Sequence, residues 1–284
     1  FGLVVTLFKG VEKRTKAVLM PRFDLEKFLS AVQEFKATRI YIVPPIVLAL
    51  AKHPLVDKYD VSSLKVLLSG AAPLSASLTE AVTKRLGVIV KQGYGMTELS
   101  PAASVDVDDS SKIRVGAVGR LVSNTEAKIV DTSDPTKVKD AGEEGEPLIR
   151  GPQVMKGYLN KEDATAATID SEGWIHTGDV AYIDKEGYVW IVDRVKELIK
   201  YKGFQVPPAE LEGILLSNPS IADAAVIGAP SEEAGEVPVA FVVKKPNAEI
   251  TSEQLIEFVN KDIAHYKHIH RVEWIEQIPK SARG

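Results

Sequence analysis

The chain of 284 residues is 45% hydrophobic and 26% charged, and its net charge is −4. This composition is typical of a globular protein with one large domain or two ordinary ones. The absence of cysteine excludes disulfides, thiolate nucleophiles and cysteine-based metal sites. The mixture of 35 basic with 39 acidic residues argues against a nucleic-acid surface. No stretch is long and apolar enough to predict a transmembrane segment.

Neither end of the sequence resembles a natural terminus. The sequence begins at Phe1 without a methionine, within a pattern typical of a buried element, and it stops at Gly284 in a predicted loop. We therefore expect a fragment that is truncated at both ends, in which targeting signals cannot be read. Cytoplasmic and peroxisomal locations both stay open, and the sequence does not indicate an oligomeric state.

Residues 1–114 alternate short apolar runs with helical periods, which predicts part of a large α/β domain. The expected strands are residues 17–20, 39–43, 64–68 and 88–90, and the expected helices are residues 77–86 and a helix capped by Asp24 that continues to residue 35. Such alternation favours βαβ units in a mainly parallel sheet. Parallel sheets bind ligands beyond the carboxyl ends of their strands, where segments 69–73 and 92–98 are expected.

The pattern changes in two later segments. Residues 115–193 contain short strands between turns, which predicts a β-rich subdomain built as a small antiparallel sheet or barrel. Residues 194–284 mix helices with strands and predict a small α+β domain. The expected strands are 127–130, 147–150, 188–192, 224–227, 239–243 and 272–275, and the expected helices are 209–216 and 251–265.

Segment 92–98, with the sequence QGYGMTE, carries groups suited to a nucleotide. The Thr97 hydroxyl can hydrogen-bond a phosphate oxygen, and Glu98 can hold a hard divalent cation beside it. Tyr94 offers a flat face for a base, and the two glycines of the segment let the backbone approach a ligand closely. A strand-to-helix turn in which the Thr-Glu pair caps the next helix explains the same residues, so both interpretations stay open.

Two further segments suggest contacts to a ribose or a phosphate. Asp179 stands at a strand entry, where its two oxygens can accept both hydroxyls of a ribose, although an Asx-turn is the simpler interpretation. Segment 193–203 is rich in charge, and Arg194 can donate to a ribose or a phosphate. A surface strand fits this segment nearly as well. Its place at a predicted domain boundary favours the ligand, because clefts often form at such junctions.

Other chemistries find little support in the sequence. The histidines at 265, 268 and 270 suggest zinc, but the predicted helix ends near Tyr266, so they do not share one face. The sequence contains no G-x-S-x-G elbow, no Walker loop and no G-x-G-x-x-G fingerprint.

Five motifs, taken in chain order, resemble those of the AMP-forming acyl-CoA synthetases. This adenylate-forming superfamily includes beetle luciferases and peptide-synthetase adenylation domains. The motifs are residues 69–73, 94–98, 151–152 with 157–158, 176–179 and 193–203. Two stretches, residues 193–205 and 92–98, are most similar to the 4-coumarate–CoA ligase branch of this superfamily. The resemblance covers essentially the whole chain, and the order of the motifs makes it specific.

The resemblance implies an enzyme that uses ATP, Mg²⁺ and coenzyme A. Such enzymes convert a carboxylic acid into an acyl-adenylate and pyrophosphate, and then transfer the acyl group to CoA. The resemblance also implies that the small C-terminal domain is a mobile lid, with its hinge just before Lys196. A lid that excludes water protects an adenylate that hydrolyses readily.

The resemblance assigns the nucleotide contacts of the first domain by matching motif. Tyr94 stacks on adenine, Thr97 contacts the α-phosphate, and Glu98 holds Mg²⁺. The turn after the second predicted strand lines the adenine and acyl pocket, and the remainder of segment 92–98 completes the nucleotide site. These further residues are Gly70, Ala71, Ala72, Pro73, Gln92, Gly93, Gly95 and Met96.

The resemblance assigns the remaining contacts to later motifs. Asp179 and Arg194 bind the ribose. Lys200 and Gln205 act at the adenylate. Lys202 and Gly203 border the CoA tunnel.

The acyl substrate is expected to be 4-coumarate or a related aromatic acid. Small residues at Gly95, Pro101 and Ala102 suit a flat ring. A medium-chain fatty acid stays open, as do a luciferase-like oxygenase and a peptide-synthetase adenylation domain. A non-catalytic AMP-binding fragment is the alternative from another class.

Two groups that the family uses for adenylation lie outside the sequence. The glycine-rich Ser/Thr loop with its lysine is expected before residue 1, and residues 279–284 match the approach to the adenylation lysine, except that Arg283 stands where a serine is commoner. We therefore expect the 284-residue chain alone to lack adenylation activity, although a longer parent is active. Robust ATP–pyrophosphate exchange by the chain alone contradicts this expectation.

Overall fold

The computed structural model describes residues 2–72, 74–261 and 263–279. Pro73, which the sequence assigns to the nucleotide pocket, and residues 280–284 of the terminal motif lie outside the described residues. The chain divides into two compact units, here called unit 1 and unit 2. Unit 1 comprises Phe1–Thr177 with Ala181–Ile191, and unit 2 comprises Gly178–Val180 with Val192–Gly284. The expected boundaries after residues 114 and 193 stay predictions.

Unit 1 begins with helices around a mixed five-stranded sheet of order β1-β2-β3-β4-β5. Strands β1, β2 and β3 run parallel, whereas β4 and β5 are antiparallel to their neighbours. The strands are β1 Arg39–Ile42, β2 Val66–Ser69, β3 Ile89–Tyr94, β4 Ser104–Val105 and β5 Arg120–Leu121. The helices are a π-helix Gly2–Phe8, α1 Lys9–Glu12, α2 Leu25–Phe35, α3 Pro44–Lys52 and α4 Ala76–Leu86, with single 3-10 turns at Pro54–Lys58, Thr97–Leu99 and Ser110–Lys112.

Local sequence signals explain the two long helices of this region. The Asp24 carboxylate accepts the Lys27 backbone N–H at 2.9 Å and caps α2. Ser75 caps α4 in the same way, and Gly87, with φ at +66°, ends it. The buried faces of α2 and α4 pack on the parallel strands in one apolar cluster. The predicted βαβ portion of the fold is confirmed.

The strand expected at residues 17–20 is wrong. Val18 and Leu19 are 43% and 75% exposed, and this segment pairs with no strand in the described part of the chain. An apolar run becomes a strand only where a neighbouring strand satisfies its backbone groups.

The second part of unit 1 contains a three-stranded antiparallel sheet of order β6-β7-β8. Its strands are β6 Glu126–Val130, β7 Glu146–Arg150 and β8 Ile175–His176, and the short helix α5 is Glu162–Ala166. Strands β9 Asp179–Ile183 and β10 Val189–Arg194, whose residues are divided between unit 1 and unit 2, form a separate two-stranded sheet. The expectation of an antiparallel sheet is confirmed, and the alternative of a barrel is wrong, because β6 and β8 are opposite edges of an open sheet within the described residues.

Unit 2 is a small α+β fold, as predicted. Its sheet has the order β12-β11-β14-β13, and β15 pairs in parallel with β14. The strands are β11 Ile199–Tyr201, β12 Phe204–Val206, β13 Ile221–Ser231, β14 Gly235–Lys244 and β15 Arg271–Trp274, and the helices are α6 Pro208–Ser217 and α7 Ser252–Asn260, followed by a 3-10 turn at His265–Lys267. Leu211 and Leu215 of α6 and Leu255 of α7 are completely buried against this sheet.

Helix α7 starts as expected but ends early. Thr251 and Gln254 form a capping box at its start. The predicted end at residue 265 is wrong, because the helix stops at Asn260. The Asn260 side chain donates to the Ile269 carbonyl at 3.2 Å and accepts the Ile269 N–H at 2.9 Å. These two bonds turn the chain back toward β15.

No helix among the described residues is both long enough and apolar enough to span a membrane.

Adjacent leucines of α6 offer a matched test of the unit 2 core. Leu215 is fully buried, whereas Leu216 is 37% exposed. Leu215→Ala leaves a cavity and is expected to lower the free energy of unfolding by about 3 kcal/mol or more. Leu216→Ala, with the same change in helix propensity, is expected to cost less than about 1 kcal/mol. Guanidinium unfolding measures both, and equal losses contradict the placement of α6.

Candidate functional site

Strands β2 and β3 end side by side in unit 1. Ser69, the last residue of β2, lies opposite Gln92 in parallel register. A Cβ atom added at Gly70 falls 3.7 Å from the Gly93 carbonyl, so the chain leaving β2 passes close to β3. The structure thus brings segments 69–72 and 92–98 to one edge of the sheet, as the sequence predicts. Strand β3 continues to Tyr94, beyond its expected end at residue 90.

Ala71 and Ala72 are exposed in the loop that follows β2. Ala71 has φ at +71°, a left-handed conformation that costs an alanine of the order of 1 kcal/mol. Strain of this kind persists only where the surrounding contacts impose it. The pocket-lining role of Gly70, Ala71 and Ala72 stays a prediction.

The contact that fixes this loop is the buried side chain of Gln92. Its Oε1 accepts the Leu74 backbone N–H at 3.1 Å, and its Nε2 donates to the Ala117 carbonyl at 3.3 Å. Both polar ends of the amide are therefore used inside the protein. The side chain of Gln92 positions the loop after β2, and its expected contact with the nucleotide stays a prediction.

Asp106, the residue directly after β4, supports Gln92. The two residues exchange hydrogen bonds, from the Gln92 N–H to Asp106 Oδ2 and from the Asp106 N–H to the Gln92 carbonyl, each at 3.0 Å. Asp106 is buried, and its Oδ1 has no hydrogen-bond partner within the described ranges. Burial raises the pKa of Asp106 to about 6, against the opposing effect of the Gln92 N–H. Asp106 stands in the acidic stretch VDVDDS, whose sequence gives no local signal of this role.

The glycines of segment 92–98 are needed by the chain itself. A Cβ at Gly95 falls 1.9 Å from the Pro101 carbonyl oxygen, and a Cβ at Gly93 falls 3.2 Å from the Ser104 carbonyl oxygen. The chain folds back here, since the Ala103 N–H donates to the Tyr94 carbonyl at 2.9 Å. Close approach of a ligand to Gly93 and Gly95 stays a prediction.

Thr97 and Glu98 lie in a single 3-10 turn, Thr97–Leu99. The residue before this turn is Met96, which has an extended conformation and whose side chain makes no capping hydrogen bond. The next element after the turn is strand β4, so the alternative in which the Thr-Glu pair caps a following helix is wrong. Thr97 is exposed and Glu98 is half-buried, while Leu99 is completely buried and anchors the turn.

Glu98 is held by a loop distant in sequence. The Tyr158 hydroxyl donates to Glu98 Oε1 at 2.7 Å, and the Met155 N–H donates to the Glu98 carbonyl at 2.8 Å. The hydrogen bond to Glu98 and burial both raise the pKa of the Tyr158 phenol, which keeps it protonated as a donor. The partner of Glu98 could not be foreseen from the local sequence.

Asp179 and Arg194, the two expected ribose ligands, lie next to each other in unit 2. Arg194 Nε is 3.5 Å from Asp179 Oδ1. The Asp179 side chain is 13% exposed, whereas that of Arg194 is 69% exposed. A largely buried carboxylate beside an exposed guanidinium can both accept from and donate to a diol.

Asp193 fixes the position of Arg194. This buried carboxylate accepts the Arg194 N–H at 2.7 Å and the Ala209 N–H of the first turn of α6 at 2.9 Å. Burial raises its pKa, partly offset by these two hydrogen bonds. The sequence included Asp193 in a charged segment without assigning it a role.

Lys200 and Gln205 lie directly opposite each other on the β11–β12 hairpin, and both are exposed. Directly paired residues share one face of a hairpin, so the structure brings these two predicted residues together. Lys202 and Gly203 form the two-residue turn, with φ at +46° and +84°, which is the pattern of a type I′ turn. The hairpin presents the lysine of the turn to solvent.

Comparison with known proteins gives consistent matches along the chain. The profile of the AMP-binding enzymes matches residues 1–159, and the profile of the AMP-binding enzyme C-terminal domain matches residues 210–284. The 4-coumarate–CoA ligase 2 of Oryza sativa subsp. japonica is 50% identical over 100% of the chain, which covers 50% of that protein. The 4-coumarate–CoA ligase of Pinus taeda is also 50% identical over 100% of the chain, which covers 53% of it. The chain spans about half the length of these curated relatives.

Solved structures match as well. The ATP-bound MatB of Rhodopseudomonas palustris has a TM-score of 0.91 at 30% identity, covering 100% of this chain and 55% of that one. The o-succinylbenzoate CoA synthetase MenE of Bacillus subtilis, in complex with ATP and magnesium ion, has a TM-score of 0.85 at 31% identity, covering 99% and 56%.

The pKa of Asp106 predicts an unusual pH dependence of stability. Its folded pKa of about 6 lies above the unfolded value near 3.8, so the folded state binds the extra proton and loses stability as pH rises from about 4 to about 6. Asp106→Asn removes this loss. The melting temperature of the variant minus that of the wild type is therefore expected to increase as pH rises from about 4 to about 6.

Asp108 supplies the matched control for this measurement. Its hydrogen bond with Arg39 holds its pKa at about 2, so it contributes stability above about pH 4 that is lost on acidification. Asp108→Asn is therefore expected to lower the melting temperature relative to the wild type at neutral pH, and this deficit should shrink on acidification. A difference between Asp106→Asn and the wild type that is independent of pH contradicts the assignment.

Proposed function

We propose that this chain, which belongs to the AMP-binding enzyme family, is part of a carboxylate–CoA ligase that forms an acyl-adenylate and then an acyl-CoA thioester. Relatives that share about half of its residues over its whole length carry the name 4-coumarate–CoA ligase. The observation that carries the proposal is the turn Thr97–Leu99, which places a hydroxyl and a carboxylate beyond the end of a parallel strand. This is where α/β sheets bind nucleotides.

In the first half-reaction a carboxylate oxygen of the acid attacks the α-phosphate of ATP, and pyrophosphate leaves. The exposed Thr97 hydroxyl donates to an α-phosphate oxygen, on which charge develops during the transfer. The ring of Tyr94 supplies a flat surface for adenine. Asp179 and Arg194 bind the two ribose hydroxyls as acceptor and donor.

Glu98 is the residue that would hold Mg²⁺. Mg²⁺ binds through one or two carboxylates, completed by water and substrate phosphates, and the described residues contain no cluster of three or more His, Cys, Asp or Glu side chains that could cage an ion. A single half-buried carboxylate beside a hydroxyl fits a cation that arrives with ATP. When bound, the ion neutralises charge on the phosphates.

In the second half-reaction the thiol of CoA attacks the acyl carbonyl, and AMP leaves. We place Lys200 and Gln205 at the adenylate, since their cross-strand pairing puts a cation and an amide on one face of the hairpin. Lys202 and Gly203, at the tip of the same hairpin, would contact CoA. The exposed ammonium group of Lys202 suits its phosphates.

We propose an aromatic propenoic acid as the acyl substrate. The names of the relatives support 4-coumarate. Thioester formation from coumarate, caffeate and hexanoate by the longer protein compares these acids directly, and a preference for hexanoate overturns the aromatic assignment.

Glu98→Gln tests the adenylation site. The substitution keeps the shape of the side chain but removes the charge that holds Mg²⁺, and it is expected to lower ATP–pyrophosphate exchange by the longer protein about 100-fold or more. Glu26→Gln is the matched control, because Glu26 also accepts a tyrosine hydroxyl, from Tyr59, but lies on α2. Exchange at the wild-type rate in Glu98→Gln removes the Mg²⁺ assignment.

A further inference from the structure

Gly157 and Tyr158 lie in the loop before α5 and have no role in the reaction described above. Gly157 has φ at +150°, and a Cβ there falls 2.8 Å from Thr165 Cγ2 and 2.9 Å from Thr165 Oγ1. Only glycine therefore lets Thr165 of α5 approach this loop. The Thr165 hydroxyl accepts the Tyr158 N–H at 2.9 Å and donates to the Lys161 carbonyl at 2.9 Å.

This scaffold fixes the backbone of Tyr158, and its side chain then reaches Glu98. The hydroxyl donates to Glu98 Oε1 at 2.7 Å, the usual length for a hydrogen bond between a hydroxyl and a carboxylate. The same loop also donates from Met155 N–H to the Glu98 carbonyl at 2.8 Å. Glu98 is therefore held at its backbone and at one carboxylate oxygen by a single loop about 60 residues further along the chain.

We propose that Tyr158 is a positioning residue for cation binding: its hydroxyl holds one oxygen of Glu98 and leaves the second oxygen for the Mg²⁺ that accompanies ATP. This inference rests on the proposed function, because it takes Glu98 as the Mg²⁺ ligand. A glutamate on a surface turn has several rotamers, and freezing them on binding costs affinity. Because the hydrogen bond from Tyr158 already restricts the Glu98 side chain in the folded protein, less rotamer freedom is lost when the cation binds.

The chemistry of the donor suits this role. A phenol is neutral, so it orients the carboxylate without cancelling the negative charge that attracts a cation. A lysine or arginine at the same place would orient Glu98 equally well but would compete with Mg²⁺ for its charge. Partners that orient a ligand in this way commonly change metal affinity by 10- to 100-fold when they are removed.

Tyr158→Phe in the longer protein tests the proposal. We expect the Kd for Mn²⁺, measured by electron paramagnetic resonance with α,β-methylene-ATP bound, to rise about tenfold. The Mg²⁺ concentration that gives half-maximal ATP–pyrophosphate exchange should rise by a similar factor, while the rate at saturating Mg²⁺ changes less than about twofold. A role confined to folding does not produce this separation between cation affinity and maximal rate.

Tyr59→Phe provides the matched control. It removes the 3.2 Å hydrogen bond from the Tyr59 hydroxyl to Glu26 of α2, elsewhere in unit 1. We expect it to change stability slightly and to leave the Mn²⁺ affinity and the Mg²⁺ dependence of exchange unaltered. A Kd for Mn²⁺ within about twofold of the wild type in Tyr158→Phe overturns the proposal.

Glu98→Gln separates the failure of this proposal from failure of the proposed function. If Glu98→Gln abolishes Mn²⁺ binding and Tyr158→Phe does not weaken it, the Mg²⁺ site stands and only the role of Tyr158 is wrong. If neither substitution weakens Mn²⁺ binding, the assignment of Glu98 as the Mg²⁺ ligand is wrong, and the role of Tyr158 is wrong with it.

Discussion

The arrangement of unit 1 depends on the buried amide of Gln92. Parallel pairing brings Ser69 beside Gln92, but the parallel ladder between β2 and β3 ends there. The side chain of Gln92 continues the connection, because it accepts from Leu74 and donates to Ala117. Loss of either buried partner leaves an unsatisfied polar group, which costs about 1–3 kcal/mol. The loop after β2 is thereby tied to the strand that leads to Thr97 and Glu98.

The sequence was sufficient to predict features that depend on near neighbours. The caps at Asp24 and Thr251, and the period of the apolar residues behind them, identify α2 and the start of α7. The alternation of strands and helices predicts parallel pairing, and that pairing places segments 69–72 and 92–98 at one edge. The family resemblance assigned Asp179 with Arg194 to the ribose and Lys200 with Gln205 to the adenylate, and the members of each set are adjacent in the structure.

The features that sequence reasoning missed depend on distant partners. Asp106 supports Gln92 from 14 residues away, and Tyr158 contacts Glu98 from 60 residues away. Nothing in the composition of either segment marks these contacts. The end of α7 was missed for the same reason, because a side chain that bonds the backbone nine residues later, at Ile269, overrides helix propensity. Local pattern locates the elements, whereas long-range hydrogen bonds set the orientation of individual side chains.

At residue 202 the backbone and the proposed chemistry favour different side chains, because the left-handed conformation suits asparagine or glycine whereas the proposed CoA contact uses the lysine. A type I′ turn favours asparagine or glycine at this position, and lysine costs of the order of 1 kcal/mol there. Sequence optimisation guided by backbone geometry alone would exchange this lysine for asparagine and gain stability. The exchange would also remove the ammonium group that the hairpin presents to solvent. Efforts to make this protein more robust should therefore leave that turn unchanged and seek their gains elsewhere.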